Sequence, residues 1–181
     1  MYALDMDTLF IEVPRTGMRS LERALQGVSS VSHVGHYTVQ RFLDCVKVPP
    51  TKYVAVIREP MDRLLSAVNF SCGTKEQVDQ ALDKLVRRGY STDIIAPTSP
   101  EELDYVYAPQ TAYLDADVDY KLHRFGDMQA FYASCGLDKV PPHDNKSKKW
   151  FSLEALQAHT LFDDVMQVYE KDVDLYNKLT P

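Results

Sequence analysis

Short apolar runs alternate with helical patterns along the chain, and this alternation predicts the order of its elements. The runs TLFIEV at 8–13 and YVAVI at 53–57 are apolar and rich in β-branched residues, which is typical of buried strands. Weaker strands are expected at 30–34 and 120–125. Because the run at 53–57 is uninterrupted, it suits the middle of a parallel sheet, where both faces are covered.

Between these strands, apolar residues recur at helical spacing. We expect helices at 19–26, 38–46, 60–70, 75–88 and 127–134, a short one after Ser152, and a long one over 161–179. Strands that alternate with helices imply parallel crossovers, so we predict a three-layer α/β fold with a mainly parallel central sheet. The segments 90–118 and 138–150 show neither period and are predicted to be irregular. A chain of 181 residues suits a single domain over 1–181.

Composition limits the class of protein and its partners. The net charge of −6 excludes a general nucleic-acid binder, although positive charge clusters locally. No stretch approaches 18 apolar residues, and the N-terminal segment lacks the basic and apolar regions of a signal peptide. We therefore expect a soluble cytoplasmic protein without a membrane span. The three cysteines form no CxxC pair and are expected to be reduced thiols, and we expect no metal site.

The first cluster of positive charge lies in PRTGMRS, Pro14–Ser20, between the first strand and its helix. Backbone N–H groups at a helix N-terminus lack intrahelical partners and the helix dipole is positive there, so the loop suits a phosphate or sulfate. Gly17 allows the backbone to curl around an anion, Arg15 adds charge, and the Thr16 and Ser20 hydroxyls add donors. The spacing is not that of a Walker A loop, which disfavours an ATP- or GTP-hydrolysing enzyme. An ordinary strand–helix turn with exposed arginines is the alternative.

A second cluster, REPMDRLLS at 58–66, follows the second strong strand. Arg58 leaves the end of that strand, and Arg63 and Ser66 lie three residues apart on one face of the helix that follows. Arg58 and Ser66 are therefore expected to converge on a second phosphate. Arg63 would add a further charge or act as a brace. In the alternative interpretation, a carboxylate of 59–62 pairs with Arg63 on a surface helix. Two anion sites at the strand ends of one sheet suit a ligand with phosphates at both ends of a nucleoside.

The residues of both loops resemble the signatures of the sulfotransferases, particularly the carbohydrate and membrane-associated branch. FIEVPRTGMRSLERAL at 10–25 resembles the FIHVPKTGGTSLEKAL-type first signature, and YVAVIREPMDRLLSAVNF at 53–70 resembles the FAFVRDPYDRLLSAYNF-type second signature. Weaker similarities occur in the family's order at 35–42, 108–114, 122–128, 143–147 and 168–179. The resemblance thus extends over nearly the whole chain and identifies it as a small, divergent, soluble member.

This resemblance implies a P-loop NTPase-like sulfotransferase core that binds 3′-phosphoadenosine 5′-phosphosulfate (PAPS). The family transfers the sulfuryl group to a hydroxyl or amine and releases adenosine 3′,5′-bisphosphate, and we expect a small-molecule or carbohydrate acceptor. By resemblance, Pro14–Ser20 would hold the 5′-phosphosulfate, and Arg58 with Ser66 the 3′-phosphate. Two alternatives stay open: a binding module that has lost turnover, and a different P-loop-like phosphotransferase.

The chain departs from the family pattern at five positions. Arg15 replaces the usual loop lysine, Met18 the second glycine, Arg19 the threonine, Glu12 the strand histidine, and Gly126 the glutamate of the RFEN-type motif. Arginine keeps the charge of lysine but presents a planar fork. Arg19 is expected to add a phosphate contact. Together these changes motivate the binding-module alternative.

Three residues are candidates for the base that deprotonates a hydroxyl acceptor. His36 is the first choice because it follows the second candidate strand; Glu12 is the second, and His143 the third. Positive charge from Arg15 and Arg19 would stabilise the leaving phosphate in a loose, in-line transfer. A hydrogen-bonded structural role for His36, and a salt bridge from Glu12 to a loop arginine, are the respective alternatives.

A third basic run surrounds the one tryptophan. Lys146, Lys148 and Lys149 with Trp150 are expected to close over the donor, the cations on phosphate and the indole on adenine. The alternative is a solvated charge run beside a packed Trp150.

Overall fold

A five-stranded sheet forms the centre of the molecule. The structure is a computed structural model that describes residues 2–3, 6–26, 30–32, 35–92, 104–137 and 149–179. The strands are β1 (Tyr2–Ala3), β2 (Thr8–Ile11), β3 (Val31–Ser32), β4 (Lys52–Ile57) and β5 (Tyr120–Arg124), and they lie in the order β3-β1-β2-β4-β5. Strands β2, β4 and β5 are parallel, whereas β1 runs antiparallel to both of its neighbours. The predicted α/β class with a mostly parallel sheet is therefore confirmed.

Helices follow the strands as the hydrophobic periodicity predicts. They are α1 (Met18–Leu25), α2 (Val39–Cys45), α3 (Pro60–Ser71), α4 (Lys75–Arg88), α5 (Asp104–Tyr107), α6 (Met128–Ser134), α7 (Leu153–Gln157), α8 (Phe162–Val168) and α9 (Glu170–Lys178). Two 3-10 turns, Gln110–Tyr113 and Phe125–Asp127, flank β5. Side-chain caps define several helix starts: Thr38, Thr74 and Ser152 each accept a hydrogen bond from the backbone N–H three residues on.

Both faces of the parallel strands are covered by helices. On β2, Phe10 packs in a cluster with α1 and α6, whereas Leu9 and Ile11 pack in a cluster with α2 and α9. Successive side chains of a strand point to opposite faces, so this division places one helical layer on each side of the sheet. A third cluster is built from α3, α4, α5, α7 and α8.

Several boundaries differ from those expected. Strand β2 ends at Ile11 rather than residue 13, because the Val13 N–H donates to the Ile11 carbonyl (3.0 Å) and the loop has already begun. Within 30–34, only Val31–Ser32 forms a strand, and 33–34 lie outside the described residues. Strand β1 and helix α5 are not predicted by the hydrophobic pattern.

The long helix expected over 161–179 is divided in two at Tyr169. This residue has φ −98° and ψ 10° and separates α8 from α9. Its ring is fully buried and its hydroxyl donates to the Tyr107 carbonyl. We infer that anchoring this side chain matters more here than continuing the helix. Within the described ranges, no helix is long and apolar enough to cross a membrane.

Candidate functional site

The two predicted anion loops meet at the carboxyl ends of β2 and β4, which are adjacent parallel strands. Arg15 from the first loop donates from Nε to the Ser66 Oγ at 3.2 Å. Arg58 from the second loop donates from Nη1 to the Arg15 carbonyl at 3.0 Å. The structure thus brings together three residues predicted to bind the ligand, and it does so by direct contacts between the two loops.

The first loop has a strained backbone that directs it toward the second. Arg15 has φ +68° and Gly17 has φ +81°. A left-handed conformation costs a non-glycine residue about 1–2 kcal/mol, and such strain clusters at ligand sites. Thr16 is fully buried and its hydroxyl donates to the Val13 carbonyl at 2.8 Å. The single hydroxyl proton is therefore used inside the loop, which corrects the prediction that Thr16 donates to the anion.

The other residues of the loop divide into buried and exposed ones. Pro14 and Ser20 are buried, and Met18 packs in the cluster beneath α1. The Met18 side chain therefore contributes to the core, and only its backbone is left to face an anion. Arg19 is exposed. Burial is the main cause that lowers the pKa of Arg15 and of His36, and the positive charge of Arg19 adds to both shifts. Its charge consequently acts on both the loop and the candidate base.

Arg15 lies in a strongly positive environment. Its pKa is lowered first by burial, then by the positive charges of Arg58 and Arg19. The guanidinium lies over the Phe70 ring, 4.4 Å from the ring centroid. Both lysine and arginine make such cation–π contacts, and arginine makes them more often because its planar guanidinium can lie flat on a ring. The ring contact therefore gives Arg15 a second fixed contact besides its hydrogen bond to Ser66.

Arg58 is held from several sides. Its guanidinium lies 4.7 Å from the Phe125 ring centroid and its Nε forms a salt bridge with Asp62 at 2.7 Å. The Gln110 amide accepts from the Arg58 N–H (2.9 Å) and donates to its carbonyl (2.8 Å). Gln110 is itself fully buried, and its N–H donates to the Asp172 carboxylate at 2.7 Å. The backbone of Arg58 is thus fixed by a buried polar network.

Arg63 occupies a different position from the one predicted for a phosphate ligand. Its side chain is fully buried, donating from Nη1 to the Val106 carbonyl (3.0 Å) and from Nη2 to the Ala108 carbonyl (2.8 Å). The guanidinium also lies 5.5 Å from the Tyr169 ring centroid. The prediction that Arg63 contacts a phosphate directly is therefore wrong. The other prediction, that Arg63 acts as a brace, is confirmed, because its guanidinium joins α3 to the carbonyls of residues 106 and 108. The alternative, in which a carboxylate of 59–62 pairs with Arg63 on a surface helix, is also wrong for Asp62, because Arg63 is buried and Asp62 pairs with Arg58.

The candidate base is attached to the end of the same strand as the first loop. His36 Nδ1 lies 2.5 Å from the Glu12 carbonyl. Since a carbonyl only accepts, Nδ1 carries the proton, and the neutral ring presents Nε2 as the acceptor. Burial is the main cause that lowers the pKa of His36. Glu12 is buried, and the contact it makes with His36 comes from its backbone rather than its carboxylate.

Tyr105 in α5 connects the candidate base to the loop arginines, and sequence reasoning missed it. Its ring stacks on His36, with centroids 5.3 Å apart and planes at 30°. Burial raises the pKa of Tyr105, and the charges of Arg19 and Arg15 oppose this shift. The phenol therefore lies in the electrostatic field of both arginines. The one sequence feature that could have pointed to Tyr105 is the tyrosine-rich stretch 105–113, which lies in a segment without regular hydrophobic periodicity.

Trp150 is placed at the end of α3. Its indole N–H donates to the Cys72 carbonyl and its backbone N–H to the Asn69 side chain, each at 2.9 Å. Trp150 and Lys149 are both exposed. Lys148, together with Lys146 and His143, lies outside the described residues. Closure of this segment over a donor stays a prediction.

Phe125 packs directly against the first loop, and this contact predicts a specific cost for Gly17→Ala. A Cβ at Gly17 would lie 3.1 Å from the Phe125 ring. We expect Gly17→Ala to lower the free energy of unfolding by about 2–3 kcal/mol, through backbone strain plus overpacking. Gly136→Ala is the matched control, because Gly136 also has positive φ (+73°) but no atom within 4 Å of an added Cβ. It should cost only about 1 kcal/mol in urea unfolding. Equal losses in the two variants would contradict the Phe125 contact.

Comparisons of the chain with protein-family models, with curated proteins and with solved structures found no match. Among the residues that the structure describes, no group of three or more His, Cys, Asp or Glu side chains is arranged to hold a metal ion. The functional interpretation therefore depends on the geometry of the two loops and on the resemblance of 10–25 and 53–70.

Proposed function

We propose that the protein is a sulfotransferase with a P-loop NTPase-like core, which moves a sulfuryl group from PAPS to a hydroxyl or amine. One observation carries the proposal: Arg15 and Arg58, which follow the ends of adjacent parallel strands, converge with Ser66 of α3. Ligands of open α/β sheets bind at this edge. A carbohydrate or small-molecule acceptor and a cytoplasmic location stay predictions.

The charge at this edge supports a donor that is negative at both ends. Burial is the main cause that lowers the pKa of Arg15, and the like charges of Arg58 and Arg19 add to the shift; a bound anion would relieve their repulsion. Arginine forks bind phosphate and sulfate oxygens through two parallel hydrogen bonds. In PAPS the 5′-phosphosulfate would lie against the first loop and the 3′-phosphate against Arg58 and Ser66.

The position of His36 supports transfer rather than binding alone. In the proposed reaction the acceptor oxygen attacks sulfur in line, the bond from sulfur to the bridging oxygen breaks, and its electron pair stays on the bisphosphate. His36 Nε2 accepts the acceptor's proton, while Arg15 and the N-terminus of α1 stabilise the charge on the leaving phosphate. The Glu12 carbonyl fixes the required tautomer of His36. A module that only binds a nucleotide has no need of such a base.

Arg58→Ala tests the donor site. Loss of a charge-assisted fork should weaken binding of adenosine 3′,5′-bisphosphate by about 30-fold or more in isothermal titration calorimetry. Because Gln110 holds the backbone of Arg58, we expect the fold to be retained, as circular dichroism would show.

Arg87→Ala is the matched control, since Arg87 also forms a salt bridge with an aspartate four residues away on a helix, Asp83. Its nucleotide affinity should equal that of the wild type. Absence of binding to the wild-type protein at millimolar nucleotide would refute the donor assignment. Equal weakening in both arginine variants would show that overall charge, and not a site at Arg58, determines affinity.

A further inference from the structure

Asp62 forms a salt bridge with the Arg58 guanidinium, the group to which the proposed function assigns a phosphate. Its Oδ2 lies 2.7 Å from Arg58 Nε. A carboxylate oxygen presents the same hydrogen-bonding chemistry to a guanidinium as a phosphate oxygen. In the same site the Ser66 hydroxyl already accepts from Arg15. The groups assigned to the 3′-phosphate are therefore engaged by groups of the protein itself.

Arg58 has several contacts besides the one with Asp62. Its guanidinium lies over the Phe125 ring and donates to the Arg15 carbonyl. Its backbone N–H and carbonyl are both bound by Gln110. These contacts fix the backbone, one nitrogen and one face of the guanidinium without any contribution from the carboxylate.

The two partners of the salt bridge differ in exposure. The Arg58 side chain is 17% exposed and the Asp62 side chain 55%. Arg58 precedes α3, whereas Asp62 lies in its first turn, and the exposed carboxylate makes this ion pair weak because water screens it and solvates the released carboxylate. Asp62 can therefore rotate into solvent at little cost, whereas the guanidinium keeps its place.

We propose that Asp62 is an internal counter-anion that competes with the nucleotide's 3′-phosphate for Arg58 and must leave before the nucleotide binds. This inference rests on the proposed function. A phosphate dianion carries more charge and more acceptor oxygens than a carboxylate and displaces Asp62. A ligand without a 3′-phosphate offers Arg58 no anion to take the place of the Asp62 carboxylate. Asp62 thus lowers affinity for the nucleotide and makes the site selective for phosphate at this position.

Asp62→Asn tests the competition by removing the charge at nearly constant volume. In calorimetry, adenosine 3′,5′-bisphosphate should bind roughly threefold to tenfold more tightly than to the wild type. Adenosine 5′-monophosphate, which lacks the 3′-phosphate, should change by less than about twofold. Asp83→Asn is the control because it neutralises the aspartate of the equivalent pair with Arg87 in α4, and it should leave both affinities unchanged. Inorganic phosphate serves as a third ligand that requires no nucleoside site.

Each outcome separates this inference from the proposed function. Weaker binding of the bisphosphate to Asp62→Asn would show that the carboxylate orients Arg58, and would overturn the competition. An equal gain for the bisphosphate and the monophosphate would overturn the assignment to the 3′-phosphate. If neither nucleotide binds but inorganic phosphate binds more tightly to Asp62→Asn than to the wild type, the competition holds and the proposed function fails. If no ligand binds either protein, both are overturned.

Discussion

Replacing His36 with alanine is expected to slow the proposed sulfuryl transfer by about 100- to 10,000-fold while nucleotide affinity changes by less than about twofold. The reason is geometric: the Glu12 carbonyl binds the Nδ1 proton, so Nε2 presents the lone pair that takes the acceptor's proton. Transfer would be measured with sulfur-35-labelled PAPS against sugars, phenols and tyrosyl peptides. Affinity would be measured separately with adenosine 3′,5′-bisphosphate.

The same residue sets the expected pH dependence. Burial lowers the pKa of His36 from 6.5, so the ring stays neutral and competent as a base at pH 6.5 and above. The acidic limb of kcat/KM should therefore lie below pH 6.5. The unfolded chain binds this proton more readily than the folded protein, so the stability linked to His36 is present above pH 6.5 and is lost as the pH falls through its folded pKa.

His159→Ala is the control for loss of a histidine, because His159 pairs with Asp79 on α4 rather than with the loops. The transfer rate of the folded variant should match that of the wild type. A structural role for His36 would appear as an unchanged rate, or as equal losses of rate and nucleotide affinity. Either result would remove His36 from the proposed reaction.

Arg63→Ala is expected to lower the free energy of unfolding by about 3–5 kcal/mol, the largest effect on stability among the substitutions considered. The change leaves the Val106 and Ala108 carbonyls without their donors and opens a cavity beside Tyr169. Chemical denaturation would measure the loss. Arg63→Met, which fills much of the cavity, should recover part of it and provides a folded variant if the alanine variant does not fold.

The control for Arg63 is again Arg87→Ala, whose exposed position predicts a change within about 0.5 kcal/mol. A different outcome for Arg63 has a clear meaning. If Arg63→Ala kept its stability and lost nucleotide affinity, the residue would contact the ligand after all. The buried-brace interpretation would then be wrong.

Much of the fold was predictable because buried residues recur along the chain at the spacing of a strand or of a helix. The apolar runs predicted β2 and β4, and helical spacing predicted the bounds of α3 and α4 to within one residue. The meeting of the two loops was also predictable, since parallel strands end at the same edge of a sheet. What could not be predicted was the break at Tyr169, because it depends on where one phenol finds a carbonyl in a distant segment.

The site was less predictable than the fold because the sequence position of a charged residue does not show whether its side chain is buried or exposed. Arg63 and Arg58 both belong to a recognisable motif, yet one is wholly buried against carbonyls and the other stays partly exposed. A signal did exist: Arg63 lies three residues after Pro60 and four before Ala67, both buried, so it shares their helix face. The roles of Phe125 and Tyr105 were harder to predict from the sequence. Phe125 contacts Arg58 and Tyr105 contacts His36, and each contact joins elements that are distant in sequence.

The hydrogen bond between His36 and the Glu12 carbonyl has a mechanical consequence. The carbonyl belongs to the main chain, one residue beyond β2 and two before Pro14, so no side chain intervenes between the strand and the base. Any displacement of this strand end moves His36 and the donor loop in the same direction. In the proposed reaction the base and the loop that holds the leaving group therefore share one point of attachment to the sheet, and that attachment is made by the main chain.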